Sequence, residues 1–159
     1  MRALYLLRVT IVSVEALVLA FTWLTYQYFG TELGLMATSL SLNEDVLKNL
    51  MLMPTVLAAW VINELRVLLQ EDKETIRILT EWEDYWKLKV HIWVGLGFAV
   101  VFVLISLIPW TAKSGINTGV GLLLFAASIV GQLFLAISVY AARIRVKEII
   151  THINTPKNK

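Results

Sequence analysis

Residues 90–110 read VHIWVGLGFAVVFVLISLIPW, with no Asp, Glu, Lys or Arg among them. A helix that crosses about 30 Å of hydrocarbon needs about 20 such residues. Working outward, residues 9–29, 50–69 and 118–140 form three further long, nearly charge-free blocks. In lipid every backbone N–H and C=O must be satisfied within the segment, which predicts a helix for each block. Barrel strands are excluded: they run to about 10 residues and alternate apolar with polar, and these blocks do neither. The sequence therefore predicts an all-α integral membrane four-helix bundle, a single membrane domain over 1–159. Its helices lie at about 9–29, 46–86, 90–110 and 118–142, followed by a basic cytoplasmic tail at 143–159.

Composition sets further bounds. The chain is 58% hydrophobic with no cysteine, which removes disulfides, thiolate metal sites and a cysteine nucleophile. A net charge of +2 is too small to predict direct nucleic-acid binding. The first block does not read as a cleaved signal: it is too long, contains Glu15 and ends in WLTYQYFG without a small-x-small cleavage site.

Charge is distributed unevenly. The stretch ELRVLLQEDKETIRILTEWEDYWKLK, residues 64–89, holds twelve of the twenty-six charged side chains, the total being 14 Lys+Arg plus 12 Asp+Glu. All Lys and Arg except Lys48 and Lys113 fall on one side of the four blocks. The positive-inside rule makes that side cytoplasmic. This predicts a multi-pass protein of a bacterial inner membrane with both termini in the cytoplasm. The aromatic residues agree: Tyr5, Tyr85, Trp86, Trp93 and Tyr140 mark the inner interface, and Trp23, Tyr26, Tyr28 and Trp110 the outer one.

Helix two begins at the capping box SLNE, Ser41 to Glu44, and carries Pro54, a source of kinking. Nothing stops it at the inner interface, since residues 64–89 contain neither glycine nor proline. Leu65, Leu68, Leu69, Ile76, Leu79 and Trp86 share one stripe of this extension, and the charges lie roughly opposite. Helix two is thus predicted to extend into the cytoplasm as a docking helix bearing Glu74, Arg77, Glu81, Trp82, Asp84 and Trp86. Seven acids in the stretch favour self-association or a protein partner over an anionic lipid surface.

Glu15, Asn63 and Gln132 lie at similar depths from the inner end and are predicted to form an intramembrane polar layer. An acid in hydrocarbon is protonated, paired, or turned toward water inside the bundle. Two readings stay open for Glu15: a hydrogen bond that fixes helix packing, or an ion path or gate. Arg8, two turns earlier on the same face, pairs with it or snorkels to the interface. His91 and His152 lack a metal-spaced partner; His91 reads as an interfacial aromatic, with pH sensing as the other role open to it. Gly95/Ala99, Gly115/Gly119 and Ala127/Gly131 have the small-xxx-small spacing that lets helices approach. No G-x-S-x-G, P-loop or dinucleotide motif is present; an enzyme is not predicted, nor any cofactor or metal.

The layout resembles the small four-helix inner-membrane proteins of phage exclusion and antiviral defence, such as the membrane subunit of Kiwa-type systems and the lambda-type exclusion channel protein. The resemblance rests on inner termini, a short outer turn after helix three, helix two running into residues 64–89, and the basic tail. It spans the whole chain but is one of topology. It implies a homo-oligomer that responds to membrane disturbance and docks a cytosolic partner, and it transfers no functional residue. The expected function is thus a non-enzymatic membrane sensor, effector or ion-permeable assembly in antiviral defence. Two alternatives stand beside it: an accessory subunit of a larger transporter, respiratory or secretion complex, and an immunity protein against a pore-forming toxin.

Overall fold

The computed structural model describes residues 2–39, 44–69, 85–111, 115 and 118–154. The described elements are all helices: α1 (Arg2–Ile11), α2 (Val14–Ser39), α3 (Glu44–Leu69), α4 (Tyr85–Thr111) and α5 (Gly119–Asn154). The expected docking helix lies outside the described residues except at its end. Glu74, Arg77, Glu81, Trp82 and Asp84 fall in the undescribed stretch, and Trp86 lies in the first turn of α4.

Among the described residues two helices are long and apolar enough to cross a membrane, Tyr85–Pro109 and Gly119–Thr151; α1 and α2, bent 49° against each other, make a third if they act as one span. α3 carries Glu44, Asp45, Lys48, Glu64 and Arg66, with residues 49–63 uncharged between them. Pro54 is accommodated inside α3 and buried.

The predicted helix at 9–29 is in fact two helices spanning 2–39. Val9, Thr10, Ile11 and Val12 are consecutive β-branched residues, which lose rotamer freedom against the preceding helical turn. The chain breaks at Val12 and Ser13, and Ser13 begins a new helix. α2 then runs past residue 29, with a kink at Phe29 (φ −123°, ψ 17°). At the other end of the sequence, the expected basic tail is not separate. Residues 143–154 continue α5, a helix of 36 residues and about 54 Å at 1.5 Å per residue.

Contacts fix the directions. Ser128 on α5 meets Phe102 on α4, and Gln132 meets Ala99, so the two helices are antiparallel. α2 also runs antiparallel to α5: Leu33 and Gly34 abut Gly119 at one end, and Glu15 shares a cavity with Leu135, Val139 and Val146 toward the other. α3 packs on both α4 and α5. The apolar core gathers where these three helices meet, around Val61, Leu65, Leu88, Ile92, Ala99, Leu135, Val139 and Val146. That end also carries Arg8, Lys87, Arg143 and Arg145 and is called the basic end.

The outside is apolar. Leu4, Phe21, Trp23, Tyr28, Trp93, Leu104 and Ile137 are all exposed. Water-soluble monomers rarely expose apolar surface so continuously; facing lipid, the same side chains cost nothing.

Candidate functional site: a basic crevice with a buried glutamate

The break between α1 and α2 creates the site. Ser13 Oγ accepts a hydrogen bond from the Ala16 amide at 3.1 Å, an N-cap in which the side chain satisfies a backbone donor of the first turn. Ser13 O also accepts from the Leu17 amide at 3.1 Å, while Val12 N still donates to Arg8 O at 2.9 Å. The chain thus leaves one helix and enters the next within two residues. Glu15 falls in the first turn of α2, where the partial positive charge of the helix N-terminus favours an anion.

Glu15 is only 7% exposed. It lines a cavity of about 870 Å³ between the α1–α2 bend and the basic ends of α3, α4 and α5. Arg8, Lys87, His91 and Arg145 line the same cavity. Neither a hydrogen bond nor an ion pair from the described residues reaches the Glu15 carboxylate. At the mouth the Tyr5 ring stands edge-on to Trp86 at 4.9 Å and to His91 at 6.3 Å, a T-shaped geometry that ties α1 to α4. Leu65, Leu68, Leu88, Ile92 and Leu135 form the apolar wall.

The three residues expected to share a polar layer do not meet in the folded chain. Gln132 is fully buried, and its Nε2 donates to Ala99 O at 3.0 Å; it faces α4 and does not line the crevice. Asn63 is exposed. Val61, Leu65 and Leu68 set the buried face of α3, and at about 100° per residue Asn63 falls on the far side from Val61 and Leu65. The rotational phase of Asn63 and Gln132 was not legible in the sequence.

The small residues take different roles. Gly95 lies against the Leu65 and Leu135 side chains, and Gly119 against the Gly34 backbone. Gly131 receives the ring of Phe102, with Ala99 and Ala127 buried nearby. Gly115 does not belong to the face expected for it. It precedes α5 with φ +59°, a left-handed turn conformation suited to glycine. Thr118 caps α5 there, its Oγ1 donating to Gly115 O at 3.0 Å and accepting from the Gly121 amide at 3.1 Å.

Two polar ties were not anticipated. Ser128 Oγ donates to Phe102 O at 2.7 Å in the buried α4–α5 interface. Arg143 Nη1 donates to Glu64 Oε2 at 2.6 Å, joining α5 to α3. Sequence reading assigned Arg143 to a tail and Glu64 to a solvated stretch. The usable signal was that both fall close to the charged ends of their apolar blocks. Comparison with family models, characterised proteins and solved structures returns no match to this chain.

Proposed function

We propose that this is a non-enzymatic membrane protein whose working element is the crevice around Glu15, open at the cytoplasmic face and controlling ion or proton entry in a homo-oligomeric sensor or effector. The observation that carries the reading is Glu15 itself: buried, at a helix N-terminus, lining a cavity and without an ion-pair contact to any described residue. A carboxylate held at such depth is costly unless it meets water, a proton or an ion. The α1–α2 bend supplies a joint at which the crevice changes width. The remaining details belong to the same proposal: four crossings, inner termini, residues 70–86 as a cytoplasmic docking helix, a cytosolic or membrane protein partner, and a role in antiviral defence.

The test is ion flux in liposomes reconstituted with the full chain, together with native mass spectrometry of the detergent-extracted protein. The reading expects a single homo-oligomer and a proton or cation flux that Glu15→Gln lowers by an order of magnitude or more. A stable one-to-one complex with a larger membrane protein favours the accessory-subunit reading. Equal flux in wild type and Glu15→Gln removes the gate.

A further inference from the structure

The crevice has a second property that its acid does not use. Arg8, His91 and Arg145 line it, and all three are exposed, whereas Glu15 is buried. These exposed basic groups form the rim of the crevice, and the acid is the more sheltered group. Lys87 lines the cavity as well. The walls below the rim are largely aliphatic and aromatic. Val12, Val14, Phe134 and Ile137 line the crevice and are also exposed on the apolar outer surface of the helices. The cavity is thus continuous with a lipid-facing side as well as with the basic end.

Such a space suits an amphiphile with an anionic head. Basic pockets between membrane helices bind anionic headgroups. A volume of about 870 Å³ lies in the range of ligand sites, about 300–1,000 Å³. It admits a headgroup and the first part of a chain. A free phosphate ester would use the rim but leave the apolar walls and the sideways opening without a role.

We propose that the crevice binds an anionic phospholipid of the surrounding leaflet. Arg8, His91 and Arg145 hold its phosphate, and one acyl chain lies along Val12, Phe134 and Ile137. This rests only on the chain's residence in a membrane, not on oligomerisation or ion flux, so either proposal can fail without the other.

The experiment is lipid competition on the full chain, purified in detergent and read by native mass spectrometry. Phosphatidylglycerol is titrated against phosphatidylcholine, with glycerol 3-phosphate as a soluble competitor. The expected result is preferential retention of phosphatidylglycerol. Each lost rim cation should weaken that preference roughly fivefold, so Arg8→Gln with Arg145→Gln should weaken it about 25-fold. Arg8→Lys with Arg145→Lys should keep most of it, because charge is retained. Lys147→Gln, exposed and outside the crevice, should leave it unchanged and controls for loss of net charge. Equal retention of the two lipids overturns the proposal. So does equal loss in Lys147→Gln, or displacement of the lipid by glycerol 3-phosphate at matched concentration.

Discussion

The ring of Phe102 occupies the space in which a side chain on Gly131 would have to stand. Phe102 is itself fully buried, and the Ser128 hydroxyl binds its carbonyl oxygen, so neither the ring nor the backbone beneath it is free to retreat. The α4–α5 interface is therefore a knob in a glycine hole, with hydrogen bonds beside it.

Gly131→Ala should destabilise the protein by roughly 1–3 kcal/mol, the usual cost of overpacking a filled site. Thermal unfolding in mild detergent measures it. Phe102→Leu on top of Gly131→Ala should recover part of the loss. Additive losses in the double variant would show that the ring is not what Gly131 accommodates.

Gln132 sets a contrast between two replacements. Its Nε2 is bonded to Ala99 O, but its Oε1 is buried without a hydrogen-bond partner among the described residues. Leucine of similar size removes a weak interhelical bond, worth about 0.6 kcal/mol in membrane proteins, and an unsatisfied acceptor together. Gln132→Leu should change stability by less than about 1 kcal/mol in either direction. Gln132→Ala leaves a cavity and should cost about 2 kcal/mol or more. Equal losses in the two variants would mean that the amide, not its volume, holds the interface.

The Arg143–Glu64 pair predicts an asymmetric cycle. The Glu64 side chain is 16% exposed and that of Arg143 36%, so stripping the partner from Glu64 leaves the more buried charge alone. Arg143→Gln should cost more than Glu64→Gln, and the coupling from the double-mutant cycle should be about 1 kcal/mol or less, shrinking with salt. A coupling of zero at low salt would reduce the pair to a surface contact.

Ser13 is the test of the bend. Ser13→Ala removes the cap of α2 and should cost about 1 kcal/mol, whereas Ser13→Asp supplies an equivalent acceptor and should retain stability. The two are compared by unfolding in detergent. If alanine is neutral, the break is held by packing and not by the cap.

What could be read beforehand was composition at the scale of a helix. Residues 90–110 announced α4, and the long apolar run after residue 118 announced most of α5, because length and the absence of charge suffice. The bend at Val12–Ser13 was missed because Val9–Val12 read as membrane-compatible apolar residues; their shared β-branching was the available sign, with a serine directly behind it. Depth placed Glu15, Asn63 and Gln132 together, but facing depends on which side of each helix packs. Only the buried set Val61, Leu65 and Leu68 reveals that for Asn63. The Glu64–Arg143 tie spans 79 positions, and no local pattern encodes such a partner.

The length of α5 has a mechanical consequence. Near its first residue a Cβ on Gly119 would stand 2.5 Å from the Gly34 amide nitrogen, so the backbones touch there and the helix is clamped at that end. Beyond the clamp it runs unbroken to Asn154. Pivoting about that point by about 5° would sweep its far end through about 5 Å, given the rise of 1.5 Å per residue. Yet Val139 and Val146 sit in the core and Arg143 is tied to Glu64, so α5 is anchored at both ends, and any tilt about Gly119 would have to carry the charged end of α3 along with it.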